Sequence, residues 1–290
     1  MTVETWTPLK LINWTKDYLE QKGVEAPRLE AEILLASVLG WQRIDLYARY
    51  NDAVPPAKLA LYRDVVRRRA GREPTQYILG QTDFCGLTFK CDPRALIPRP
   101  ESEMIVELAL ELIGKAPDAL VVDVGAGSGC LAVTAAFRLP QARVVACDIS
   151  PEALSLAHEN AKHHRLLERI EFRCGDFEET LADLTGQVDV LLANPPYVTE
   201  DEFANLQPEL REHEPRVALV AGVEGTEVVT RLLDFAPTLL KPGGHLVMEM
   251  GLGQAERVRA MLDDQPQLEL IRCEKDFQGI ERVAVIRKKL

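Results

Sequence analysis

Long apolar runs are missing from this chain. Its hydrophobic stretches are of strand length, such as 190–193, and none approaches the roughly 20 residues a membrane-crossing helix needs. The N-terminus lacks a basic segment followed by an apolar run of signal-peptide length, so a cytoplasmic location without a membrane partner is expected. Closely spaced cysteines are missing too. Cys85, Cys91, Cys130, Cys147, Cys174 and Cys273 form no CxxC pair, three lie in segments that read as buried strand or helix, and all six are expected as reduced core thiols. The histidines show no HExxH or similar spacing, His163-His164 reads as the solvated end of a polar helix, and no metal site is expected.

Positive charge is scarce. The net charge is −11, yet residues 1–80 hold 12 Lys/Arg against 10 Asp/Glu, so the other 210 residues carry −13. An acidic region of that size argues against stable nucleic-acid binding, which rests on neutralising phosphates. A protein or small-molecule acceptor fits better. What is present, 290 residues of which 47% are hydrophobic, suits a folded protein with room for two domains.

From Thr7 to about Arg72 apolar residues recur at helical spacing (Ile12, Tyr18, Leu19; then Leu29, Ile33, Leu34, Val38). Breaks fall at Gly23, Gly40 and Pro55-Pro56, which predicts an all-helical domain of four or so helices over residues 1–75. Residues 76–97 are expected as a β-hairpin linker, from Tyr77-Ile78-Leu79-Gly80 and Phe84-Cys85-Gly86-Leu87-Thr88-Phe89. Over 98–290 strand-like and helix-like segments alternate, predicting an α/β domain with strands at 120–124, 143–147, 170–173, 188–193, 245–249, 268–273 and 282–286. The short stretch between the last two makes the final strand antiparallel to its neighbour. Seven strands with such a reversed pair are the usual Rossmann-like sheet of methyltransferases that use S-adenosylmethionine.

Gly125, Ala126, Gly127, Ser128 and Gly129 join the first of these strands to a helix; the three glycines permit a sharp turn and close approach of a ligand. Cys130 stands where a dinucleotide fingerprint has Gly or Ala, and any tight strand-to-helix turn uses glycine, so the turn alone is weak evidence. Asp148 closes the next strand, 19 residues beyond Gly129, where a carboxylate accepts both ribose hydroxyl hydrogens. Together they point to an adenosine-containing cofactor, which an NAD enzyme would share. Ser150-Pro151 reads as an N-cap with proline at the first helical position. Gly175-Asp176-Phe177 is either a border for adenine or an ordinary turn.

Asn194-Pro195-Pro196-Tyr197 follows the fourth strand at its carboxyl end, where open α/β sheets bind ligands. A nitrogen conjugated to a carbonyl or ring is a poor nucleophile because its lone pair is delocalised. The Asn194 side-chain oxygen and the Pro195 carbonyl are candidates to accept its two in-plane hydrogens and aim it at a methyl carbon. Tyr197 is placed to stack on a flat acceptor. An unrelated Pro-Pro loop is the bland alternative.

Beyond these motifs, the sequence resembles the bacterial release-factor glutamine methyltransferases through nearly its whole length. Besides the glycine turn and the tetrapeptide, the resemblance rests on the helical N-terminal domain, the hairpin, and Leu96-Ile97-Pro98-Arg99-Pro100-Glu101-Ser102-Glu103. It implies S-adenosylmethionine bound by Gly125, Ala126, Gly127, Ser128, Gly129, Asp148, Phe177 and Asn194. It implies Asn194, Pro195, Pro196 and Tyr197 at the substrate glutamine of a Gly-Gly-Gln motif, with Arg99, Pro100 and Glu101 closing the pocket. The helical domain is then expected to dock a peptide chain release factor. Arg63, Arg67, Arg68, Arg69 and Arg72 read as a solvated basic face or as a patch for an acidic partner. The same tetrapeptide also serves methyltransferases of adenine or guanine amino groups, the alternative, but these need a basic, aromatic recognition surface. A nucleotide-binding oxidoreductase or a cofactor sensor would leave Asn194-Pro195-Pro196-Tyr197 without a task.

Overall fold

The computed structural model describes residues 5–114 and 118–290, which fall into two compact units divided after Gly80. The first is helical: α1 Pro8–Gln21, α2 Pro27–Leu39, α3 Arg43–Ala48, α4 Pro56–Ala70 and α5 Thr75–Leu79. Three of these start with proline, whose fixed φ suits a first turn and whose missing N–H has no partner there anyway. Leu11, Ile12, Leu34, Leu35, Leu46, Tyr62 and Val66 form the core of the unit.

Two expectations for this region change. Residues 75–79 are helix rather than hairpin: Pro74 starts one turn, Gly80 at φ +73° ends it, and the turn buries Thr75, Tyr77 and Ile78. Punctuation that close together leaves too short a run to show a helical period. The five arginines do not form one continuous solvated face, although Arg63 and Arg67 stay exposed. Arg69 is buried and donates to Glu30 at 3.3 Å, Arg68 holds Glu73 at 2.8 and 2.5 Å, Arg72 donates to the Gly23 carbonyl at 2.8 Å, and Arg67 pairs with Asp64.

The second unit opens with the hairpin β1 Gln81–Phe84 and β2 Leu87–Lys90. Its two-residue turn puts Cys85 at φ +49° and Gly86 at φ +76°, the twist that matches right-handed strands. Then come α6 Glu103–Ile113, β3 Leu120–Val124, α7 Cys130–Arg138, β4 Arg143–Asp148, α8 Pro151–His163, β5 Ile170–Cys174, α9 Phe177–Thr180 and β6 Val188–Ala193. They are followed by β7 Val198–Thr199, α10 Glu200–Phe203, α11 Pro208–His213, β8 Val220–Gly222, α12 Glu227–Leu239, β9 Leu240–Glu249, α13 Ala255–Asp263, β10 Leu268–Lys275 and β11 Glu281–Lys288.

Seven strands form one sheet in the order β10-β11-β9-β6-β3-β4-β5, with β11 antiparallel to both its neighbours and the other pairs parallel. The expected Rossmann-like α/β sheet is present, reversed strand included. Its centre is apolar on both sides: Leu120, Val122 and Val124 of β3 pack with Leu232 and Leu233 of α12, while Val121 packs with Ile105 of α6 and Leu131 of α7. β9 starts five residues earlier than expected. Leu240 pairs with Val188 before a bulge, and a Cβ on Gly244 would lie 2.8 Å from the Val188 carbonyl, so Pro242-Gly243-Gly244 is strand rather than the turn it resembles.

The cysteines and histidines depart in detail. All six thiols are free, but only Cys91 and Cys147 are buried and Cys174 is exposed. The His164 ring, expected in solvent, packs 5.3 Å from Phe89 and its Nε2 lies 2.9 Å from the Thr88 carbonyl. Among the described residues no helix is long and apolar enough to cross a membrane.

Candidate active site

Strand order reverses between β3 and β6, and a cavity opens there, beyond the carboxyl ends of β3 to β6. It measures ≈ 280 Å³ and is lined by Gly125, Ala126, Gly127, Ser128, Asp148, Phe177, Asn194, Pro195 and Pro196, with Arg99 and Ser102. Four residues expected at the site stand outside the lining: Gly129, Tyr197, and the Pro100 and Glu101 expected to close the pocket beside Arg99.

The glycine turn is held by backbone. Gly125 and Ala126 N–H donate to the Cys147 carbonyl at 2.9 and 3.0 Å. Gly125 sits at φ +73° and a Cβ there would meet nothing within 4 Å, so the turn faces open space. Gly129 serves packing instead: at φ +79°, a Cβ would lie 2.9 Å from Ala157 Cβ of α8. Asp148 is locked by two N–H donors, Gly127 at 2.7 Å and Ser150 at 2.9 Å. Burial pushes its pKa up, and those two donors partly offset this. Each carboxylate oxygen retains lone-pair capacity toward the cavity. Ser150 caps α8 as expected, accepting from Ala153 N–H at 3.1 Å.

Phe177 opens α9, buried against Phe235 at 5.8 Å between ring centroids, with the Arg231 guanidinium 4.7 Å over its ring. Arg231 also grips Asp176 at 2.7 Å and Glu178 at 2.8 Å. Burial alone would raise the Asp176 carboxyl, but Arg231 holds it below the usual range.

On the opposite wall, Asn194 Nδ2 donates to Ser102 Oγ at 2.8 Å, and Ser102 Oγ donates to Glu249 Oε2 at 2.6 Å. Ser102 and Glu249 are both buried; burial raises the Glu249 carboxyl, opposed by the Ser102 bond. Among the described residues no protein donor reaches Asn194 Oδ1 or the Pro195 carbonyl. Tyr197 is fixed through its backbone: Gln254 Nε2 donates to the Tyr197 carbonyl at 3.3 Å and to the Gly225 carbonyl at 2.8 Å. Burial raises its phenol, and Glu249 adds to the effect. Directly after it, β7 pairs with β8, Val198 N–H donating to the Leu219 carbonyl at 2.9 Å.

Two family models match, the PrmC N-terminal domain over residues 10–80 and the methyltransferase small domain over 104–212. A release factor glutamine methyltransferase of Geobacter sulfurreducens is 44% identical, over 97% of this chain and 96% of the relative. The human MTRF1L release factor glutamine methyltransferase is 35% identical, over 97% of this chain and 87% of the relative. The chain belongs to the release factor glutamine methyltransferase family. Among solved structures, the hMettl16 catalytic domain in complex with an RNA hairpin superimposes with a TM-score of 0.56 at 18% identity, covering 78% of this chain and 82% of that one, a likeness of fold alone.

In this family member the sequence motifs mark the cavity wall but not its supports. Glu214, buried, accepts from Ile97 N–H at 3.1 Å and from Arg99, which fixes the Ile-Pro-Arg-Pro stretch against the cavity. Nothing near Glu214 in sequence marks it. Glu249 does carry a signal, as a lone charge set between Met248 and Met250 at the apolar end of β9, whereas Gln254 carries none. Arg231 reads as one more arginine of an amphipathic helix.

Proposed function

We propose that this methyltransferase transfers a methyl group from S-adenosylmethionine to the side-chain amide nitrogen, N5, of the glutamine in the Gly-Gly-Gln motif of peptide chain release factors. The observation that carries this reading is one cavity holding both a glycine turn with Asp148 and the Asn194-Pro195-Pro196 loop, in a chain of this family.

The residues present fit an adenosine-bearing donor. Open space over Gly125 admits a ligand against the backbone, Asp148 offers acceptors for ribose hydroxyls, and Phe177 gives an apolar edge for a base. Gly125, Ala126, Gly127, Ser128, Asp148, Phe177 and Asn194 would hold it, with Gly129 setting the turn. When bound, the group supplies a methyl on a positively charged sulfur, already activated toward attack.

The chain's own part is placement. Asn194 Oδ1 and the Pro195 carbonyl accept the two hydrogens of the glutamine amide, which orients its nitrogen and favours build-up of positive charge on it. Pro196 stiffens the loop, and Tyr197, expected to stack on the flat amide but set outside the lining, supports the loop from behind, its carbonyl held by Gln254. The helical unit docks the release factor.

The test is labelled-methyl transfer with purified protein: label is expected on the glutamine of the Gly-Gly-Gln motif. Label on DNA or ribosomal RNA with the release factor left unlabelled would overturn the reading.

A further inference from the structure

β6 and β9 are neighbouring parallel strands whose last paired rung is Ala193 with Met248. One step further along each strand stand Asn194 and Glu249. Alternation sends Leu192 and Val247 to the face covered by α6, and carries Asn194 and Glu249 the same way. Ser102, the residue before α6, lies between them and bonds to both.

The direction of these bonds follows from what each group is able to donate. A carboxylate only accepts, so Glu249 claims the single hydroxyl hydrogen of Ser102. The 2.6 Å separation fits a hydroxyl donating to a carboxylate oxygen. Ser102 Oγ then has only lone pairs for Asn194, so the amide atom facing it must be Nδ2. Oδ1 is left on the other side, free to accept. The opposite rotamer would turn an NH2 group toward a substrate NH2 group, and two donors do not bond.

We propose that Ser102 and Glu249 are positioning residues that fix the Asn194 amide with Oδ1 toward the acceptor nitrogen. This rests on the function proposed above for its rate effects, though not for the orientation itself. Neither residue delivers or removes a proton; they select one of two amide orientations of nearly equal shape.

Ser102→Ala, Ser102→Thr and Glu249→Gln test this, measured well below the Tm of each variant. Ser102→Ala removes the bridging hydroxyl, Ser102→Thr keeps one, and Glu249→Gln keeps the shape but is able to donate or accept. Ser102→Ala and Glu249→Gln are expected to lower kcat about ten- to hundredfold, the scale of a misplaced reacting group, with cofactor affinity changed less than about threefold and Ser102→Thr close to wild type. The second readout needs no substrate: the Asn194 side-chain NH2 signals in 15N NMR, identified by their loss in Asn194→Asp, should show one hydrogen slow to exchange in wild type and Ser102→Thr and not in the other two. Unchanged NH2 exchange in Ser102→Ala, or equal loss of kcat and cofactor affinity, overturns the proposal. Wild-type protein that leaves release factor unlabelled, yet shows the expected NH2 pattern, overturns the proposed function and leaves the positioning intact.

Discussion

The two walls of the cavity are built on different principles. The wall from Gly125 to Asp148 is made of backbone: positive-φ glycines, N–H groups on Asp148, and a helix-to-helix approach at Gly129 that admits no Cβ. The wall at Asn194 is made of side chains drawn from far along the chain, Ser102 and Glu249 behind the amide and Gln254 behind Tyr197. A wall of backbone suits a ligand that is always the same. A wall of side chains suits a task where one atom must face one way.

Five substitutions would break or sharpen that contrast. Asn194→Ala removes the acceptor the second wall exists to present, and should lower kcat about a hundred- to thousandfold, read by single-turnover labelling; a loss under tenfold would mean the Pro195 carbonyl suffices. The next largest effect lies beneath the first wall. Asp123 is fully buried with Oδ2 bound by Ala132 N–H at 3.0 Å, and burial pushes its pKa from the ordinary 3.8 up to about 7. The folded chain therefore binds an extra proton between those values, so this contribution to stability is whole below pH 4 and is lost as pH rises through 7. Asp123→Asn should flatten that descent, on the order of a few kcal/mol, in Tm measured from pH 4 to 8; a parallel curve would show that the carboxyl stays charged.

Third, Asp148→Ala should weaken cofactor binding about tenfold or more, the value of two lost hydrogen bonds to a carboxylate, by calorimetry with S-adenosylmethionine. Equal weakening by Tyr197→Ala, expected mainly to slow transfer, would show that the walls are not separate. Smallest is Tyr197→Phe: the residue does not line the cavity, so loss of the hydroxyl should change kcat less than about threefold.

The contrast also explains what the sequence discloses. Glycine spacing and strand-ending Asp148 are local, so the first wall is legible: positive φ is a demand on single residues. The tetrapeptide is legible too, but Ser102 lies 92 residues from Asn194 and its bond to Glu249 spans 147, so that support exists only once the strands are in order. The sheet is legible where strands are mostly apolar, as in β3 and β6, each of which carries a single aspartate. The expected strand at 245–249 falls short where Pro242 and two glycines enter β9, because the pairing of Leu240 with Val188 outweighs their local preference for turns. α5 leaves no sequence signature for the opposite reason: one turn is too short for a periodicity to show.

The short pair β7 and β8 has an evolutionary consequence. It clamps the chain directly after Tyr197 and again at Val220, so the intervening segment leaves and returns at fixed points. Within it, residues 204–207 join α10 to α11 and are mostly exposed. Doubling the length of such a link costs only about 0.6 kcal/mol in closure entropy. Insertions there leave the tetrapeptide in its position, a place where length is free to drift and chemistry is not.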